Sequence, residues 1–478
     1  MKKTSGYITV YLALTLGILI SLITTMIYGI RVHTIRFEAE CAMDMGLDSI
    51  YAEYHREMLK QYGMLFIDSS YGGNIPSSDY TRSHLLHYIN MNFDEKGTGI
   101  LSKDLTALHA DNGCLTNISY APDNNGEVLR YQINQYIKTK YGLGVVDNMF
   151  NDVIDMNELL GQYDNYAAQR QEAEERVLAI IDEENGKRGP DEEPYTISNP
   201  ADSVDKLSGS NTLFYAFGNK TNLNAKGINS SNYISNRGYV NGAGLRSTQK
   251  QAGAIASKAI IEKYIFDKCG YYGKEKSDSA LNYQIEYIIK GQDSDIKNME
   301  KITSDIFKTR YVINMAYLLT DSAKQGEAET LATIVCCLLL LPELVEAVKY
   351  TILFAWGYVE SAKELRMLFD GNKLPIIKHS GNWNTPLYQL IGFRMYLDNY
   401  KASGGELGYE EYLIGFLTIE NLDKMTLRLM DIMEMDIRLT PGNSAFRMDG
   451  QIYQATAEVN MSSNYGYGCN VKRFSTYE

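Results

Sequence analysis

Apolar and polar positions separate most sharply near the start of the chain. No charged residue occurs from Tyr7 to Ile30, and as a helix these twenty-four residues reach about 36 Å at about 1.5 Å each. That length exceeds the roughly 30 Å hydrocarbon core of a bilayer and leaves room for tilt. Tyr7, Tyr11 and Tyr28 stand towards the two ends, where amphipathic rings favour the interface. A cleaved secretory signal has an apolar run of about 7–15 residues before a small-x-small site. Here the run is longer and leads into Tyr28-Gly29-Ile30-Arg31-Val32-His33, a poor cleavage context. The pattern predicts a retained single-pass transmembrane anchor at 7–30, in contact with membrane lipid, behind a short tail at 1–6. Lys2, Lys3 and the α-amino group face Arg31 and Arg36 across it. The positive-inside rule leans towards a cytoplasmic tail and an extracytoplasmic remainder, held at the cell membrane.

Beyond the anchor, Ala39, Met43, Leu47, Ile50, Tyr54 and Met58 recur at steps of three and four, while Asp44, Asp48, Arg56 and Lys60 fall largely elsewhere on the wheel. This predicts one helical rod continuing to Tyr62, with Gly63 as its C-terminal cap. A turn-rich stretch follows, around a short helix carrying His84 and His87. A weak strand is predicted at Leu115–Tyr120 and helices over Glu127–Ile181, giving an N-terminal α+β region at 31–181.

Residues 182–247 read as a linker or long loop, rich in acidic residues, Gly, Pro, Asn and Ser. A helical domain is predicted at 248–440, with helices at 249–266, 281–289, 296–319, 326–341, 342–369, 387–400, 409–417 and 421–435. Ser294 or Asp295 is the expected cap of the third, and Pro342 suits a first helical position. Leu331–Leu341 is too short, at about 16 Å, to span a bilayer, and reads as the central helix of this core. The region 441–478 is expected to hold a strand at Gln451–Met461, paired with the strand near Cys114, and a Tyr/Gly-rich tail. The fold class is therefore α+β, predominantly α-helical: a long N-terminal transmembrane helix continuing into a mostly helical soluble domain with a small β-sheet.

A net charge of −13 argues against nucleic-acid binding and against adhesion to anionic lipid. Thirty-seven tyrosines suit contact surfaces for protein or glycan as well as buried, bonded hydroxyls. Cys41, Cys114, Cys269, Cys336, Cys337 and Cys469 form no C-x-x-C pair; a bridge from Cys114 to Cys269 or Cys469 is open. No Walker A loop, nucleophile elbow or H-E-x-x-H occurs. His84-x-x-His87 puts two rings on one helix face without a matching carboxylate. Asp123-Asn124-Asn125-Gly126 is a fragment of a calcium loop lacking the later ligands, and reads as a turn. Glu192 with Glu193, and Glu410 with Glu411, are adjacent, whereas glycan hydrolysis needs carboxylates several ångströms apart. No catalytic, cofactor-binding or metal-binding residue is assigned.

Several stretches carry a family resemblance. Gly6–Leu14 leading into the apolar helix, Asp48–Gly63, Glu286–Asp295, Ala355–Ser361, Gly371–Lys378, Tyr409–Leu413 and Arg428–Ile432 resemble an uncharacterised family of Gram-positive, clostridia-type bacteria, over nearly the whole chain. Its members are similar at their N-termini to the TadE/TadG-like pseudopilins of Flp/Tad-type pilus and secretion systems. The resemblance implies a structural or assembly component with pilus or secretion-system proteins as partners, and no catalysis. It also implies Gly6 as a prepilin-type cleavage position, although the fifth residue beyond it is Tyr11 where pilin-like chains usually carry Glu. The alternatives are a cell-envelope hydrolase and a ligand-binding surface protein.

Overall fold

The computed structural model describes residues 5–93, 106–142, 155–187, 212–218, 223–247, 249, 258–402 and 404–477. The chain is α+β and predominantly helical, with one small antiparallel sheet. It divides into two compact units: 1–140, 233–257 and 433–478 form the first, and 141–232 with 258–432 the second. Both are discontinuous in sequence, whereas the pattern of linkers suggested consecutive regions.

The first unit is built on α1 (Ser5–Ala52), α2 (Arg56–Tyr62), β1 (Ile67–Asp68), α3 (Ser78–Phe93), β2 (Leu108–Tyr120) and most of α4 (Asp123–Tyr141). β3 (Gln451–Ser463) and β4 (Gly468–Thr476) return to it from the far end of the chain. The expected unbroken rod to Tyr62 is interrupted at Glu53–His55. There Tyr54 bridges Ile67, His55 N–H donates to Phe66 O at 2.8 Å, and His55 Nδ1 caps α2 by accepting from Met58 N. Backbone pairing at the sheet thus outcompetes helix continuation. Gly63 caps α2 as expected, with φ +71, and a Cβ there would stand 2.5 Å from the Tyr136 ring.

β3 is the central strand. It pairs with β2 along one edge, placing Cys114 opposite Glu458 as the two-strand expectation required. Its other edge is shared by β4 and the two-residue β1. The predicted Tyr/Gly tail is therefore a hairpin and a strand, because Gly466 at φ +83 turns the chain back. Ala457, Val459 and Met461 bury themselves against Ile35, Ala39, Met43, Leu47 and Ile50 of α1 and Leu85 and Ile89 of α3. Gly46 permits the α1–α3 approach: a Cβ there would lie 2.7 Å from Ile89 Cγ1.

The second unit contains α5 (Met156–Gly186), α6 (Thr212–Phe217), α7 (Lys258–Lys268), α8 (Gln284–Lys290), α9 (Asp295–Thr320), α10 (Ser322–Leu338), α11 (Val345–Phe369), α12 (Tyr409–Ile419) and the start of α13 (Leu422–Arg438). The expected linker at 182–247 is in part structured: α5 runs to Gly186, and α6 buries Tyr215 and Phe217. Ser294 caps α9 by accepting from Lys297 N, and Pro342 opens a 3-10 turn ahead of α11. The expected helix at 387–400 is two 3-10 turns separated by Gly392 at φ +70.

The central helix is α11, buried at every position from Thr351 to Phe369, and not the segment Leu331–Leu341. α10 turns a narrow stripe of small residues inwards, Ala328, Ala332 and Cys336, while Ile334, Leu338 and Leu340 stand 54%, 80% and 80% exposed. Small side chains bring two helices close and leave the larger ones outside.

Candidate functional site

Three features concentrate chemistry or contact surface. The first is α1 itself. From Gly6 to Ile30 its large apolar side chains are all exposed. This is one helix long and apolar enough to cross a membrane. Burial begins at Ile35, where α1 meets the sheet.

The change from exposed to buried is marked by a clamp along β4. Tyr28 meets Tyr467 edge to face at 5.4 Å, and the Arg31 guanidinium lies 4.2 Å from the Tyr465 ring centroid. Arg473 bridges Glu40 at 3.2 Å and Asp44 at 3.1 Å. Tyr51 Oη donates to Ser475 O at 2.8 Å, and Tyr477 Oη donates to Tyr51 O at 2.9 Å. The geometry closes: Tyr28 to Tyr51 spans about 35 Å of helix at about 1.5 Å per residue, and the extended chain from Tyr467 to Tyr477, with β4 between them, spans about 34 Å at about 3.4 Å per residue. The two stretches therefore run side by side, and the apolar segment extends from a helix held along the sheet.

The second feature is a charge network buried in the second unit. Arg310 donates to Glu364 through Nε at 2.8 Å and Nη2 at 2.7 Å, and its Nη1 donates to Pro375 O. Lys378 bridges Glu364 and Glu360, each at 2.7 Å. Burial pushes the Glu364 carboxyl up, but Arg310 and Lys378 override it and hold it at about 2. Glu360 also accepts from Asn384 N at 3.0 Å and Thr385 Oγ1 at 2.7 Å, and Lys363 Nζ donates to Gln389 Oε1 at 2.5 Å. These bonds fix the wall of an open groove of about 660 Å³, lined by Lys324, Trp383, Asn384, Tyr388, Gln389 and Tyr400 among others. Each charge in the network is answered by an opposite charge or a hydrogen bond. The cluster therefore holds the wall in place and offers no free acid–base pair.

The third feature is a pair of carboxyls with the opposite displacement. Burial pushes Glu286 up to about 7 and Glu262 up to about 7. Glu286 accepts from Tyr409 Oη at 2.7 Å and Tyr272 N at 2.9 Å, while its Oε2 has no partner among the described residues. Both are sealed in packing, at 0% and 2% exposure.

Gly6 lies in the first turn of α1, exposed, with open space around it. His84 Nδ1 is 3.1 Å from Glu53 Oε1, while His87 points outward beside Tyr88. Among the described residues no group of three or more His, Cys, Asp or Glu is placed to hold a metal. Asp123–Gly126 is a turn: Asn124, Asn125 and Gly126 all have positive φ, and Asp123 accepts from Tyr120, Gly242 and Gly244 N–H. Glu410 pairs with Tyr271 and Lys274, and Glu411 with Lys373 and Gly408 N, so the two do not act together. Glu192 and Glu193 lie outside the described residues. No disulfide joins Cys114 to Cys269 or Cys469.

Sequence reasoning missed the buried network, because charged helical positions read as solvated faces. The available signal was Glu360, Lys363, Glu364 and Arg366 crowded into an otherwise apolar helix.

These features define an α+β protein carrying a membrane-length helix on a rigid sheet, with a separate helical unit built around buried charge. The chain belongs to DUF5702, a family of unknown function, whose model matches residues 190–463. No curated protein and no solved structure matches it.

Proposed function

We propose that the protein is a membrane-anchored, extracytoplasmic structural or assembly component of a Flp/Tad-like pilus or secretion apparatus, and that it is not a catalyst. The observation that carries this reading is the series of contacts that holds the Tyr28–Tyr51 stretch of α1 along residues 467–477: the exposed apolar segment is continuous with a helix fixed along β4. Such a joint positions a body relative to a bilayer. The similarity of the N-terminal stretch Gly6–Leu14 to TadE/TadG-like pseudopilins supports the pilus assignment, and with it processing at Gly6. The exposed Ile334, Leu338 and Leu340 favour contact with protein partners. The non-catalytic reading is supported by Glu262 and Glu286, whose raised carboxyls are sealed in packing and do not line the groove. A second reading, a ligand-binding surface protein, is favoured by the fixed amides and aromatic rings of that groove.

The test is to tag the C-terminus, crosslink intact cells, identify what co-purifies from the membrane and treat the cells with external protease. Pilus-platform or pilin-like proteins together with a protease-sensitive body are the expected result. A protected body with no such partners would overturn both topology and assignment.

A further inference from the structure

We propose that the β3–β4 turn is a second membrane contact, with Tyr465 and Tyr467 seated in the headgroup region of the leaflet from which α1 emerges. The inference rests on reading α1 as an anchor. Its charge-free run ends at Ile30, and the first charge is Arg31, so the edge of the hydrocarbon falls near Tyr28–Arg31. Those are the residues the turn touches: Tyr467 stands against Tyr28 at 5.4 Å, and Tyr465 lies under Arg31 at 4.2 Å. The turn therefore shares their depth.

Its composition suits that depth. No charged residue occurs from Val459 to Val471, and the first charges on either side, Glu458 and Lys472, pair with one another at 3.5 Å. Tyr465 remains 49% exposed. An apolar ring with a polar tip is favoured where hydrocarbon gives way to headgroups. The turn is also preformed. Ser463 N donates to Tyr467 O at 2.7 Å, Gly466 N to Ser463 O at 2.9 Å, and Asn464 N to Ala107 O at 3.1 Å. Seating it costs little ordering. Arg31 is left facing phosphate from above the Tyr465 ring, so the contact needs no anionic lipid.

The experiment uses the full chain in phosphatidylcholine vesicles brominated either near the headgroup or at the chain terminus. Two variants are compared with the parent, whose Trp356 and Trp383 supply the background: Tyr465→Trp, and Ile18→Trp within the anchor. The expected result is that headgroup-proximal bromine removes roughly half of the added Tyr465→Trp emission, as for an interfacial ring. Terminal bromine is expected to remove less of it, while Ile18→Trp is quenched most by terminal bromine. If Ile18→Trp is quenched and Tyr465→Trp is not, the turn proposal is overturned and the anchor stands. If neither is quenched, the anchor reading fails and takes the proposal with it.

Discussion

The Glu364 carboxylate accepts two hydrogen bonds from the Arg310 guanidinium, at 2.8 and 2.7 Å, with neither side chain reaching solvent. Removing one partner strands the other as a buried charge. Arg310→Ala is expected to destabilise the second unit by about 3–5 kcal/mol, and Arg310→Lys by less, since one ammonium cannot reproduce the fork. Urea denaturation followed by tryptophan fluorescence reads both, because Trp356 and Trp383 belong to the same unit. A loss below about 1 kcal/mol for Arg310→Ala, the range of a surface pair, would show that the pair is not sealed.

Glu286 gives a pH dependence of defined sign. The folded protein keeps its proton up to about 7, whereas an unfolded chain releases it near 4.5. Between these values the folded state binds more protons, so the Glu286 contribution to stability declines as pH rises through the window and is flat above it. Glu364 acts in the opposite sense, its contribution being lost as pH falls from 4.5 towards about 2. Glu286→Gln is expected to raise stability at about pH 8 by on the order of 3 kcal/mol, with a much smaller gain near pH 5. Equal gains at both values would exclude a titrating Glu286.

Gly46 is the contact point between α1 and α3. Gly46→Val places its Cβ where Ile89 Cγ1 leaves 2.7 Å, and is expected to cost about 1–3 kcal/mol through overpacking. Gly17→Ala, with nothing within 4 Å, serves as the control. Thermal melts in detergent compare the two; equal midpoints would show that the helices can part without penalty.

Asp123 holds the segment around Gly242–Gly244 through two backbone donors, Gly242 N at 2.7 Å and Gly244 N at 3.0 Å, and ties it to the end of β2 by accepting from Tyr120 N at 3.0 Å. Asp123→Ala strands donors worth about 1–3 kcal/mol each where they are buried. Limited proteolysis is expected to cut near residues 239–245 at least several-fold faster in the variant. Unchanged cleavage would mean that Ser119 and Gln454, which also bond Gly244 O, suffice.

Local signals in the sequence located what local chemistry decides. The charge-free run found the membrane-length helix, Gly63 and Ser294 found two helix ends, and alternation at Gln451–Met461 found the central strand with its partner. What stayed hidden depends on distant parts of the chain. Tyr54 leaves the helical pattern to meet Ile67, and β4 exists because β3 and α1 flank it. Arg310 and Glu364 lie fifty-four positions apart and look, taken singly, like surface residues.

The order in which these segments leave the ribosome has a consequence for biogenesis. β3 begins at Gln451, and β1, β2 and β4 all depend on it for pairing. The nascent chain thus presents α1, α3 and β2 long before the strand that completes them. Pairings such as Thr116 with Thr456 become the slow, closing step of maturation. Until then the inward stripe of α1 and the edge of β2 that β3 will cover are open to chaperones and quality-control proteases. A nonsense mutation between Met433 and Gly450 would leave the first unit without β3 and β4 while sparing the residues of the helical unit.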